Sequence, residues 1–202
     1  MIKRIFDATA SGLGMVLLFP LYLVISLLIL MRMPGGPVLF KQERVGRRGK
    51  SFTIIKFRTM VLDHHGGSVT VCGERRITPL GSFLRKYKLD ELPELYNVLK
   101  GDMSLVGPRP DVPGYADKLQ SKERQVLSLR PGITGPATLK YVDEEILLSQ
   151  HPDPVKYNDE VLFPDKVRIN LKYLEHQSFL LDLKIIFCTL LGKQLNEPWM
   201  NE

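Results

Sequence analysis

Apolar and polar positions divide the chain into three regimes. Residues 12–31, GLGMVLLFPLYLVISLLILM, hold one serine and no charge over twenty positions. That is the length a helix needs to span a bilayer. Pro20 falls near the middle, where its missing amide favours a kink. The turn Met33-Pro34-Gly35-Gly36-Pro37 then ends the segment. Residues 38–42 and 51–57 are short strand-like runs joined by the basic turn ERVGRRGK, which predicts a hairpin. Residues 61–76 read as an irregular loop.

Helical spacing takes over afterwards. Leu80, Phe83, Leu84 and Tyr87 share one face of a helix over 78–87. Leu92, Leu95, Tyr96 and Leu99 do the same over 89–99, with Gly101 placed to end that helix. Residues 118–128 read as helical, and 152–173 as one or two helices interrupted near Pro164. A last helix is predicted near 178–192. Its core FLLDLKIIFCTLL is interrupted by Asp182 and Lys184 and suits a buried or interfacial amphipathic helix. The expected fold class is therefore α+β: a mostly helical domain with a small β-hairpin or sheet over 34–202. An N-terminal kinked membrane helix over 1–33 precedes it.

Charge refines that first segment. Lys3 and Arg4 precede it, while Arg32, Lys41, Arg44, Arg47, Arg48 and Lys50 follow it. Positive residues mark the cytoplasmic side of a membrane, and here both flanks carry the mark. A re-entrant helix that bends at Pro20 and leaves on the face it entered satisfies both flanks. A plain span with the stronger C-terminal cluster inside remains the alternative. The segment is too long for a signal peptide and lacks the small-residue cleavage site.

The chain has 202 residues, 44% hydrophobic and 25% charged, with a formal net charge of +6. This suits one folded domain with an anionic partner. Cys72 and Cys188 lie far apart without metal spacing, which argues against a disulfide framework. The four histidines form no metal-ligand pattern, and His64-His65 reads as part of a polar loop.

The densest chemistry lies in RKYKLDELPELYNVLKGDMSLVGPRP, residues 85–110. Pro93 fits only the first turn of a helix, so Asp90 is expected at or near its N-cap and Glu91 in its first turn. Capping alone would explain both carboxylates. However, Arg85, Lys86 and Lys88 stand just upstream, and Pro108 and Pro110 restrict the backbone around Arg109. A fixed guanidinium suits a phosphate. LRPGITG later sets Arg130 in a similar stiff turn. Carboxylates able to hold Mg²⁺ beside such arginines suit phosphoryl transfer. A membrane-tethered basic adaptor would explain the charge and the anchor, but not the Asp-Glu pair. No RNP-like or zinc pattern points to nucleic acid.

The blocks KLDELPELYNVLKGDMSLVGPRP, LRPGITG, FKQERVGRRGKSFTIIKFRTM and SFLLDLKIIF resemble the bacterial sugar transferases, also called monotopic phosphoglycosyl transferases. The likeness runs from the hydrophobic segment nearly to the C-terminus. It implies transfer of a sugar phosphate from a UDP-sugar to polyprenyl phosphate, usually undecaprenyl phosphate, with release of UMP and a need for Mg²⁺. Such a reaction is the first membrane step toward O-antigen, capsule, exopolysaccharide or glycoprotein glycans. The resemblance implies a monotopic protein of the bacterial inner membrane, in contact with membrane lipid and with its catalytic domain facing the cytoplasm.

By the same resemblance Asp90 is the nucleophile and Glu91 its dyad partner in a metal or phosphate-positioning role. Asp90 and Glu91 are then the metal ligands, and Lys56, Arg85, Arg109 and Arg130 bind substrate. Cations and the helix start are expected to keep Asp90 ionised. Arg85 is set to bind substrate or to pair with Glu91. Arg44, Arg47, Arg48 and Lys50 are expected to hold lipid headgroups, and Asp182 either to pair with a site arginine or to sit solvated on its helix. Two positions depart from the family pattern: Phe19-Pro20 replaces a Ser-Pro pair at the bend, and Pro136-Ala137 follows RPGITG where many members have Trp-Ala or Trp-Gln. The chain has the look of the small, minimal form. The sugar is not legible in the sequence, and a homodimer stays open.

Overall fold

The computed structural model describes residues 1–62 and 76–200. Most of the expected loop over 61–76, together with His64, His65 and Cys72, lies outside the described residues. Helix α1 (Ile2–Leu17) and helix α2 (Phe19–Arg32) form a pair bent by 61°. The break falls at Leu18, which places Pro20 in the first turn of α2, where an amide is not needed. No single described helix is long and apolar enough to cross a membrane. Leu13, Val16, Leu17, Phe19, Leu23, Leu27, Leu30 and Met31 are exposed. Meanwhile Ile25, Ile29 and Met33 pack against Phe57 and Leu84 of the domain.

Strands β1 (Leu39–Val45) and β2 (Ser51–Phe57) form the predicted antiparallel hairpin, with Gln42 opposite Ile54. Helix α3 (Pro79–Lys86) begins at Thr78, whose side chain accepts from the Gly81 amide. Helix α4 (Glu94–Lys100) ends at Gly101, with φ 101° as its C-terminal position demands. Asn97 of α4 accepts from the Ile55 amide at 3.1 Å and donates to the Thr53 carbonyl at 2.7 Å. The helix is thereby tied to β2.

A second sheet was not visible in the pattern. Strands β3 (Ser104–Val106) and β4 (Gly132–Thr134) pair in parallel, three residues each. Runs this short carry no readable period. The two stiff turns, GPRP and RPG, extend from this pair. The Gly107 amide donates to the Thr134 carbonyl at 2.9 Å, and the Gly132 amide to the Pro108 carbonyl at 2.8 Å. A Cβ on Gly132 would lie 2.1 Å from the Gly107 nitrogen. Both partners are backbone and cannot yield. Gly132→Ala is therefore expected to destabilise the protein by about 3 kcal/mol or more, the upper range for overpacking, seen as a large fall in thermal midpoint.

Among the described residues, five further helices follow: α5 (Pro136–Lys140), α6 (Glu144–Ser149), α7 (Pro154–Tyr157), α8 (Phe163–His176) and α9 (Phe179–Leu191). Residues 118–128 are not an α-helix; Glu123–Ser128 is a 3-10 segment instead. Pro164 does not interrupt its helix. It lies in the first turn of α8, which follows a π-helical stretch at Asn158–Leu162. The largest core cluster joins Val106, Leu129, Leu139, Ile169, Tyr173, Ile185 and Trp199. Each such side chain contributes about 1.5–3 kcal/mol on burial, and together they fix the β3–β4 pair against α8 and α9.

Candidate active site

Asp90 and Glu91 are buried, but not where a capped helix would put them. Leu89–Glu91 is a 3-10 turn, and α4 begins only after Pro93. Neither carboxylate caps a helix. The turn is entered through Lys88, held in the left-handed region at φ 54°. That reverses the chain after α3 and aims both carboxylates inward.

Around this turn the structure gathers three of the four cations expected to bind substrate. Lys56, on β2, donates to Glu91 Oε1 at 2.9 Å. Arg109, from the GPRP turn, reaches the same oxygen with Nη2 at 2.5 Å. Arg85, in the last turn of α3, donates from Nη1 to Glu145 Oε1 at 2.8 Å and from Nε to Thr59 Oγ1 at 3.2 Å. It pairs with Glu145 rather than Glu91. Arg130 is placed aside: its Nε donates to the Gly101 carbonyl at 3.1 Å, and its charged neighbours are Arg47, Arg4 and Asp7.

Electrostatics separate the two dyad carboxylates. Burial would raise Glu91, yet Arg109 and Lys56 overcome it and hold the group well below the usual carboxylate range. Asp90 moves the other way. Burial, with the Glu91 charge added, raises it against the opposing fields of Lys56, Arg85 and Arg109. The expectation that helix start and cations dominate Asp90 is therefore corrected: desolvation wins. Asp90 Oδ1 is buried with no hydrogen-bond partner, so its lone pairs are uncommitted.

Glu94, not among the expected site residues, belongs to the same cluster. It is 2% exposed, and burial raises it to about 7, with Lys56 opposing and Glu91 adding to the rise. Lys56 Nζ lies 3.1 Å from Glu94 Oε1, but off the hydrogen-bonding direction, and that oxygen has no hydrogen-bond partner. Its position four residues after Asp90 was the available signal, since such residues share a helical face. A carboxyl raised on folding stabilises fully below its unfolded value near 4.5 and loses that contribution as pH climbs through about 7. The thermal midpoint should therefore fall between pH 5 and 8, and Glu94→Gln should flatten that decline in calorimetry.

Other expectations are redirected. Arg44 donates from Nη1 to the Pro110 carbonyl at 3.1 Å and from Nη2 to Gln42 Oε1 at 2.6 Å. It backs the Arg109 turn instead of facing a headgroup. Arg47 Nε donates to the Ser128 carbonyl at 2.8 Å while the residue stays exposed, which is compatible with its expected headgroup role. Asp182 pairs with Lys3 at 2.5 Å, not with a site arginine.

Among the described residues, no group of three or more His, Cys, Asp and Glu side chains is arranged for a metal ion. A cation brought in with a diphosphate is a different demand. The unpartnered Asp90 Oδ1 fits it, with Glu91 adjacent.

The family model described as bacterial sugar transferase matches residues 1–194. The sugar transferase EpsL of Bacillus subtilis, described as uncharacterized, is 34% identical over 94% of this chain and 85% of its own length. The galactosyl transferase CpsE of Streptococcus agalactiae is 37% identical over 93% of this chain, which spans only 41% of that longer protein. The UDP-glucose:undecaprenyl-phosphate glucose-1-phosphate transferase of Caulobacter vibrioides is 36% identical over 93% of this chain and 68% of its own. A match that runs from the first residue to Gln194, with the buried carboxylate turn and its cations inside it, has one reading: the chain belongs to the bacterial sugar transferase family.

Proposed function

We propose that this protein is a UDP-sugar:polyprenyl-phosphate sugar-1-phosphate transferase. It passes a sugar 1-phosphate to a polyprenyl phosphate such as undecaprenyl phosphate and releases UMP, as the first membrane step of a bacterial glycan. The observation that carries the reading is Asp90: buried, uncommitted at Oδ1, and set beside a glutamate locked between Lys56 and Arg109. In the first step an Asp90 oxygen attacks the sugar-side phosphorus, and the bond to the UMP oxygen breaks with its electron pair leaving on UMP. The acyl phosphate so formed is then attacked by an oxygen of polyprenyl phosphate, which frees the Asp90 carboxylate. Arg85 and Arg109 bind and orient the diphosphate. Lys56 and Arg109 keep Glu91 ionised. Asp90 and Glu91 would hold Mg²⁺, which when bound neutralises charge on the diphosphate oxygens. Arg130, tied to the Gly101 carbonyl, stands apart from this set.

The bent α1–α2 pair, with its exposed apolar side chains, supports a re-entrant seat in the cytoplasmic leaflet of the inner membrane. The charge on both flanks supports the same seat. The test uses purified protein in nanodiscs with Mg²⁺ and a panel of UDP-sugars. One burst of UMP without acceptor, a sugar-phosphate adduct in intact mass spectrometry, and steady turnover once polyprenyl phosphate is added are the expected results. Absence of UMP from every UDP-sugar with acceptor present would refute the assignment.

A further inference from the structure

The bent helix pair does more than present apolar surface: it holds both halves of the site from behind. Lys3, in the first turn of α1, donates to the Val106 carbonyl at 3.0 Å and to Asp182 Oδ2 at 2.5 Å. Asp182 is 3% exposed, and its other oxygen accepts from the Tyr173 hydroxyl. One turn along α1, Asp7 is equally buried. Its Oδ2 accepts from Ser104 Oγ at 2.7 Å, and its Oδ1 faces the Leu105 amide at 3.4 Å. All three residues of β3 are thus gripped by side chains of α1. Val106 is the last residue before the turn that carries Arg109. On the other side, the Tyr22 hydroxyl of α2 donates to the Leu92 carbonyl at 2.5 Å, directly after the dyad.

The chemistry of these ties is informative. Apolar packing would join a helix to a strand at least as stably, because a buried ion pair is often neutral or worse against a well-packed apolar replacement. What Lys3 adds is direction. Its hydrogen bond to a main-chain carbonyl fixes the peptide plane between Val106 and Gly107, and so the angle at which the turn leaves the strand. Arg109 lies three residues on and meets Glu91 with one guanidinium nitrogen at 2.5 Å. A displacement of about 1 Å at such a site costs on the order of 100-fold in rate.

We propose that Lys3 and Asp7 are positioning residues for Arg109, so that the seating of the bent helix pair is read out at the carboxylate cluster. The inference rests on the transferase reading for its kinetic test and on the geometry alone for its structural one. In nanodiscs, Lys3→Met leaves the buried Asp182 without its ammonium and should lower the thermal midpoint while the protein stays folded; kcat per folded molecule should fall by about 10- to 100-fold, and Lys3→Arg should restore most of both. Residues that act through one another are not additive. In an Arg109→Lys background, Lys3→Met should therefore lower kcat by less than about 3-fold. Asp7→Asn should behave like Lys3→Met. A full multiplicative loss in the double variant overturns the proposal, as does a loss that only tracks the folded fraction. If Lys3→Met does not fold, Ser104→Ala removes the Asp7 partner with little change in volume and enters the same cycle.

Hydrogen exchange provides the arm that needs no turnover. Lys3→Met or Ser104→Ala should speed exchange across residues 107–111 by at least about 10-fold and leave α8 unchanged. Unchanged exchange at 107–111 refutes the proposal. A parent protein that releases no UMP defeats the transferase reading instead, and the exchange result still decides this one.

Discussion

Asp90→Asn is expected to abolish both the adduct and the turnover, with a rate loss of at least about 10⁴-fold, while the protein becomes no less stable. The two halves of that expectation come from the same feature. Asp90 is buried, lacks a hydrogen bond at Oδ1, and is raised by burial and by Glu91. A group whose folded value is raised stabilises only while protonated; once ionised it costs stability. A neutral amide of the same shape removes that cost and also removes the attacking oxygen. The measurement pairs UMP release and intact mass with the thermal midpoint at neutral pH. Loss of activity without loss of stability is the signature of a nucleophile held at an energetic disadvantage. An Asn variant that still turns over at a tenth of the parent rate would favour direct attack by the lipid phosphate, with Asp90 reduced to a metal ligand.

The opposite behaviour is expected one residue later. Glu91→Gln should destabilise the protein by about 2–3 kcal/mol, because it leaves Lys56 and Arg109 facing each other over a neutral amide. That figure sits below the range for a wholly buried pair, since the Arg109 side chain is 43% exposed. Glu91 is held well below its ordinary value near 4.5. Its contribution is therefore complete above that value and is lost only as pH falls through the depressed one. The gap in thermal midpoint between parent and variant should stay constant from pH 5 upward and narrow only in strong acid. An equal midpoint at pH 7 would show that the three groups do not act as one ion cluster. Activity should fall as well, through weaker donor binding, because Arg109 would lose the contact that aims it.

The sequence carried the hairpin, the helices with long apolar periods, and the identity of the dyad turn. Each is written in local pattern or in an unusual block. What it did not carry has a common physical cause. Strands β3 and β4 are three residues each and depend on glycines whose purpose is a contact twenty-five positions away. Pro93 marks a helix start, and so suggests a cation-stabilised cap at Asp90. The 3-10 turn before that proline, and the desolvation it brings, are tertiary consequences. Arg44 and Asp182 were assigned by charge alone, and charge does not say which carbonyl or ammonium a side chain will find. In the sequence Lys3 marks only membrane topology, yet its ammonium is bound to β3 and α9.

Asn97 has a consequence for solubility in the cell. A two-stranded ribbon has an outer edge on each side, and such edges invite pairing with other chains. The free side of β2 would present the Thr53 carbonyl and the Ile55 amide. Asn97 answers both with one side-chain amide, at 2.7 and 3.1 Å. It imitates a third strand for one residue pair, and its helix then covers the edge. The β2 edge is thereby closed to templated aggregation on a protein that already exposes an apolar helix pair.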